Sequence, residues 1–210
     1  MVLKEVSLSS THPVRTGLYA RKPHVLLCSE PSTTPDLQII FNDFPVHPRT
    51  VPGSEDGYSV VFSLMTPASR GTVRLASPDP DHSPLIDPNY LSDPSDIARM
   101  IAGLRVAREI GGARALTSLR GDELFSGKRS QSAVACHTYL RSTVSSYFHP
   151  VGTCKIGSDK MSVVDAQLKV RGIDHLRIAD ASVMPLLVSG NTNAAVLAIA
   201  ERAASLLTDD

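Results

Sequence analysis

Apolar and polar positions fall into short periodic patches separated by long unpatterned stretches. Residues 58–65 (Tyr-Ser-Val-Val-Phe-Ser-Leu-Met) read as a strand with a largely buried face. A turn follows over 67–71, and residues 72–76 alternate as the expected hairpin partner of that strand. Residues 37–41 form one further apolar run that suits a buried strand, after which Pro45, Pro48 and Pro52 punctuate a loop. The rest of residues 1–57 is rich in Pro, Ser, Thr and His, has little periodicity, and is read as an irregular amino-terminal segment. Domain-like patterning starts at residue 58 and runs to 207.

Helical spacing appears three times. Asp93-Pro94 is a good start, with an Asp cap, proline in the first turn and Asp96 further in. Ile97, Met100, Ile101, Leu104 and Ala107 follow on one stripe, and Gly111-Gly112 ends the run. A second helix is predicted over 132–143 with Val134, Tyr139 and Leu140 inward. The third covers 191–207, Ala-rich and free of Gly and Pro, with Val196, Leu197, Ile199, Ala200 and Ala203 on its buried side. Between the last two, residues 163–179 look like short strands and turns.

Composition narrows the function classes. The chain has 210 residues with 21 basic and 21 acidic side chains, so no global charge draws it to nucleic acid or an anionic membrane. Aromatic content is 5% with no Trp, which argues against a base-stacking platform. No apolar run is long enough to span a bilayer, and the first 20 residues lack a signal-peptide core. Cys28, Cys136 and Cys154 are odd in number and widely spaced, which makes neither a disulfide framework nor a metal-ligand set. A reduced, cytoplasmic protein is the expectation.

Three segments in the last third carry candidate chemistry: Ser146-Tyr-Phe-His-Pro-Val-Gly-Thr-Cys154, Leu176-Arg-Ile-Ala-Asp-Ala-Ser-Val-Met-Pro185 and Ser189-Gly-Asn-Thr-Asn-Ala194. Pro150 restricts His149 to an extended backbone, which suits a base whose acceptor nitrogen must be placed within hydrogen-bond reach. A histidine of no special role is the plainer reading of that residue alone. Asn191 opens an apolar helix, either as its cap or as part of a positive N-terminus facing an electron-rich group. Asp180 is either a turn cap or an acceptor for hydroxyl groups.

Taken in order and spacing, these segments resemble the carboxy-terminal part of the glucose–methanol–choline (GMC) flavin oxidoreductases, and most closely the choline-dehydrogenase-like branch. The resemblance runs through His149-Pro-Val-Gly-Thr-Cys154, Val163-Val-Asp-Ala-Gln-Leu-Lys-Val170, Leu176 to Pro185 and Gly190-Asn-Thr-Asn-Ala194. Weaker similarity extends back through Gly71-Thr-Val-Arg-Leu75 and Ile86-Asp-Pro-Asn-Tyr90. It implies an α+β fold, a mostly antiparallel sheet with helices on one face. It also implies that an alcohol loses a proton to His149 and a hydride to N5 of FAD, with Asn191 on the substrate oxygen. Asp180 and Ala181 match positions at the ribityl–diphosphate part of FAD, and Thr192 and Asn193 positions at the pyrimidine edge of the ring.

One departure stands out. The family's glycine-rich GxGxxG turn is nowhere in these 210 residues, so the cradle of the ADP half of FAD is missing. The resemblance therefore implies weak or absent FAD binding by this chain alone, and an amino-terminal Rossmann-bearing partner or self-association for function. Two rivals remain open: an FAD-free descendant using His149 for isomerase, cyclase or lyase chemistry, and a non-catalytic binding module.

Overall fold

Tyr58, Val60, Phe62 and Leu64 alternate with Ser59, Val61 and Ser63 along a strand that is buried on both faces. That strand lies inside a six-stranded antiparallel sheet. The computed structural model describes residues 2–10, 24–27, 35–46, 57–124 and 132–208, and the chain divides into two compact units. A sheet unit is formed by Val2–Ser69 and Tyr90–Tyr147. A loop unit is formed by Arg70–Asn89 and Phe148–Asp210. Cys28, Pro48 and Pro52 lie outside the described residues.

The sheet unit contains β1 (Val2–Ser10), β2 (His24–Leu27), β3 (Leu37–Asn42) and β4 (Tyr58–Leu64). The strand order is β2-β3-β4-β1, extended beyond β1 by strands at Arg120–Glu123 and Ser145–Ser146. The register runs from Leu37↔Leu64 to Asn42↔Ser59 across β3 and β4, and from Val2↔Leu64 to Leu8↔Tyr58 across β1 and β4. The segment 1–57, expected to be irregular, thus supplies three strands, and β3 and β4 pair across residue 57. Strand 37–41 was legible from its apolar run; β1 and β2 are held by ladder partners far along the chain, which local periodicity does not report.

Helix α1 (Pro94–Gly111) covers one face of this sheet, packing on β1, β3 and β4, and α2 (Ala133–Thr143) packs on α1. Met100, Leu104 and Ala107 meet Leu37, Ile39, Val60, Phe62 and Leu64, and Cys136 and Leu140 of α2 close the core. Each fully buried Leu, Phe or Met contributes about 1.5–3 kcal/mol of transfer free energy. Both helices start as expected: Asp93 accepts from Ser95 N–H at 2.8 Å, and Ser132 caps α2 from Ala135 N–H at 3.1 Å. Val134, expected inward, is 77% exposed, and Cys136 takes the buried position.

Residues 72–76 do not pair with β4 because both of its edges are taken, by β1 and β3; the exit from β4 is held by Asp96. Its buried carboxylate accepts from the N–H groups of Ala68 and Ser69, both at 2.8 Å, from Ser69 Oγ at 2.6 Å and from Arg99 Nη2 at 2.6 Å. The chain leaving β4 is thereby tied to the start of α1. In the loop unit, β5 (Thr72–Arg74) instead pairs with β6 (Leu85–Asp87), across the proline-rich loop. Gly71 abuts the Asp87 carbonyl too closely to accommodate a Cβ.

The loop unit's small core joins Val164, Leu168 and Val183 to Ala203 and Leu206 of its long helix, α3 (Asn193–Thr208). Residues 156–177 are stitched by single bridges, Ile156↔Val164, Val164↔Val170 and Lys169↔Arg177, as the punctuated pattern predicts. The helix begins two residues later than its sequence suggests, and Leu197 (59% exposed) and Ala200 face outward. An Ala-rich helix offers apolar side chains on several faces, so apolarity alone did not select the Ala203–Leu206 stripe.

Candidate functional site

The histidine segment enters the loop unit at Phe148, whose φ of +61° is left-handed. His149 is half-buried and Pro150 follows it. Gly152 is left-handed again, with φ +89°. Its N–H donates to the Ser182 carbonyl at 3.1 Å, the N–H of Cys154 donates to the same oxygen at 3.0 Å, and Ile156 N–H donates to Val183 O at 2.8 Å. One carbonyl oxygen, with two lone pairs, thus serves two donors of the histidine segment. These bonds place residues 152–156 alongside the turn that carries Asp180 and Ala181.

Asp180 caps that 3-10 turn (Ala181–Val183), its Oδ1 accepting from Ser182 N–H at 2.7 Å. Hydrogen bonding from Ser182 holds its carboxyl below the usual carboxylate value. The residue is therefore the turn cap, and it is also an exposed carboxylate with acceptor capacity to spare. Ala181 is half-buried beside it.

At the start of α3 the first ladder bond runs from Val196 N–H to Thr192 O at 2.9 Å. The N–H groups ahead of Val196 in that turn have no place in the ladder, and the dipole's positive end lies there. Thr192 is buried, Asn193 is exposed, and Asn191 is exposed just ahead of the helix rather than inside it. A Cβ placed on Gly190 would meet no atom within 4 Å, and the residue is not left-handed. Neither its conformation nor its chain neighbours require a glycine, so the backbone there is open to close approach by a separate group. The acceptor oxygens of Asp180 and the N–H groups at the start of α3 are of the chemical types that the hydroxyl chain and the polar ring edge of a flavin nucleotide would take. Cys154, beside the histidine motif, is half-buried and forms no disulfide among the described residues.

The GMC oxidoreductase family model matches residues 67–200. This chain belongs to the GMC oxidoreductase family. It is 45% identical over 151 residues to an alcohol dehydrogenase [acceptor] of Pseudomonas putida, covering 72% of this chain and 27% of that protein. Choline oxidase of Arthrobacter globiformis is 40% identical over 181 residues, covering 82% of this chain and 33% of the oxidase. Among solved structures, pyridoxine 4-oxidase from Mesorbium loti matches with a TM-score of 0.87 at 30% identity, over 100% of this chain and 42% of that one. The chain spans about a third or less of the curated relatives named here. The family's carboxy-terminal fold is thus present, and its members include enzymes named for alcohol and choline oxidation.

Sequence reasoning named His149, Asp180, Ala181, Asn191, Thr192 and Asn193 as site residues and Gly190 as part of the last segment, but gave Ser182 no role. Ser182 acts through its carbonyl, which every residue has, so no side-chain signal marks it. Gly190 is marked only by being a glycine without an intrachain reason.

Proposed function

We propose that this chain is the substrate-facing and flavin-completing part of an oxidoreductase that turns an alcohol CH–OH into its carbonyl. His149 accepts the hydroxyl proton as the carbon–oxygen double bond forms, and Asn191 holds the oxygen in place. The alcohol loses a proton and a hydride, two electrons in all; FAD, when bound, supplies the acceptor for the hydride. Asp180 and Ala181 would hold its ribityl–diphosphate part, and Thr192 and Asn193 the pyrimidine edge. The observation that best supports this reading is the shared Ser182 carbonyl, which fixes the histidine segment against the Asp180 turn. The names of its relatives favour a small primary alcohol as substrate.

The dinucleotide half of the cofactor is assigned to an amino-terminal partner chain. Supporting this, Val73 and Ile86, paired across β5 and β6, and Leu85 are all exposed apolar side chains that suit burial against another polypeptide. Among the described residues no helix is long and apolar enough to cross a membrane.

The test mixes this chain with the separately produced amino-terminal portion of the Pseudomonas putida alcohol dehydrogenase, FAD and a panel of primary alcohols. The chain alone should keep little or no FAD, whereas the mixture should stay yellow and reduce a dye. His149→Ala and Asn191→Ala should each lose about 10²-fold or more in turnover. Undiminished turnover by both variants would remove them from the mechanism. Stoichiometric FAD on the chain alone would remove the need for a partner. A colourless chain that moves protons on carbonyl compounds would favour the FAD-free acid/base alternative.

A further inference from the structure

The loop joining β5 to β6 carries a serine, an aspartate and a histidine that belong to neither core and to no segment of the candidate site. Ser77 Oγ lies 2.6 Å from Nδ1 of His82, and Asp79 Oδ2 lies 3.9 Å from Nε2, the other ring nitrogen. Pro78 and Pro80 restrict Ser77 and Asp79, the residues before them, toward extended backbone. A tight turn then reverses the chain, His82 N–H donating to the Asp79 carbonyl at 3.2 Å. Asp79 N–H donates to Ser77 Oγ at 3.1 Å, and Asp81 N–H to Asp79 Oδ1 at 3.0 Å. The β5–β6 ladder closes the loop at Arg74↔Leu85, so the reversal is held without the imidazole. The Ser77–His82 bond is surplus to loop closure.

We propose that Ser77 and His82 form a nucleophilic dyad that accepts small acyl groups from activated esters, namely thioesters and aryl esters, with Asp79 as a positioning residue. The direction of each bond follows from charge. A carboxylate facing Nε2 favours the tautomer protonated there, which leaves Nδ1 as an acceptor. Ser77 Oγ already accepts from Asp79 N–H, so its own hydrogen is the one shared with Nδ1. A hydroxyl thus rests against a base, and a third group orients that base. As Oγ attacks the acyl carbon, its proton passes to Nδ1. The bond from that carbon to the thiolate or phenolate breaks, and the leaving group departs with the electron pair. Such groups need no proton to leave, which is why activated esters are the fitting class. The imidazolium then gives its proton to solvent. Water attacks the acyl-serine, one of its protons passing through Nδ1 to Ser77 Oγ, which leaves with its pair and frees the acid.

The test needs neither flavin nor a partner, so its outcome is independent of the alcohol-oxidation reading. The 210-residue chain is treated with p-nitrophenyl acetate, and acetylation is followed residue by residue in peptide fragment spectra. Ser83, in the same loop, serves as the control serine. Ser77 should acquire acetyl about 10²-fold faster than Ser83. His82→Gln can still hydrogen-bond to Ser77 but is no base; it should melt with the parent and lose that advantage. Asp79→Asn keeps an acceptor for Asp81 N–H, and should slow acetylation and move the His82 ring-nitrogen resonances toward a mixture of tautomers. Equal rates at Ser77 and Ser83, or an undiminished rate in His82→Gln, would overturn the proposal. Ester turnover that persists undiminished in Ser77→Ala would overturn it too, since the imidazole would then be the nucleophile. Unmoved ring-nitrogen resonances in Asp79→Asn would strike Asp79 from the device.

Discussion

The amide of Gly152 and the carbonyl of Ser182 lie 3.1 Å apart in a bond that Gly152 makes from a φ of +89°. A Cβ added there would sit 3.4 Å from Met184 O, an ordinary contact, so space is not the obstacle. Conformation is. Gly152→Ala should cost about 1–2 kcal/mol, and Gly152→Asn less, as read by urea denaturation. Equal stability of the alanine variant would mean that the left-handed turn is not needed for the bond.

Asp96 is the buried acceptor on which the exit from β4 depends. Asp96→Ala strands the N–H groups of Ala68 and Ser69 and takes from Arg99 its nearer carboxylate, at 2.6 Å, leaving it Asp36 at 3.8 Å and the Thr66 carbonyl at 3.0 Å. The expected loss is about 3–5 kcal/mol. A double-mutant cycle with Arg99→Met separates the ion pair from the backbone bonds; additive costs would show that the pair contributes nothing of its own.

Acid should loosen the loop unit. Lys155, Met161 N–H and Ser162 all bond to Asp159 and hold its carboxyl down to about 2, and Asp180 is lowered by Ser182. Both folded-state values lie below the unfolded ones. Their stabilisation is therefore fully present above the ordinary carboxylate value near 3.8 and is lost as pH falls toward 2. Melting temperature followed from pH 5 to pH 2 should drop, and Asp159→Asn should flatten that drop. An unchanged slope would assign acid sensitivity to other carboxylates.

The proposed site requires the His149 and Asn191 side chains to reach one hydroxyl, which places them roughly 4–8 Å apart. Asn191→His would then create a two-histidine site for Zn²⁺. At about 100 times the dissociation constant, the metal should stabilise that variant by about 2.7 kcal/mol and leave the parent unaffected. Adding His149→Ala should abolish the effect. No zinc response would place the two residues too far apart to share a substrate oxygen.

The corrected face of α2 makes a simple test. Val134→Lys should change stability by less than about 0.5 kcal/mol, because the position is exposed, whereas Leu140→Ala should cost about 2–5 kcal/mol. Thermal melts of the two variants suffice.

What could be read ahead of the structure was what short range determines. Asp93 caps α1 where its sequence says and α2 starts close to residue 132 as expected, and residues 37–41 and 58–64 are strands because their apolar runs have no other use. Pairing was not legible. Thr72–Arg74 turned to β6 rather than β4 because β1 and β3, from the first 42 residues, occupy both edges of β4. Val134 and Leu197 looked inward because apolar side chains do, yet their helices dock along other stripes. At the candidate site, side chains with chemistry were visible as motifs. The Ser182 carbonyl and the backbone angles of Phe148 and Gly152 carry no letter of their own.

Strand β1 has a consequence for synthesis. Val2 pairs with Leu64 on one side and Ser146 on the other, and Leu8 with Tyr58 and Glu123. Strand β1 is thus synthesised well before its neighbours, with one edge unsatisfied until residues beyond 120 emerge. Contacts of such long range make for slow folding and for a nascent chain that exposes strand edges meanwhile. Conditions that slow aggregation during translation, such as lower temperature or a holding chaperone, should therefore matter more to its yield than to the stability of the finished protein.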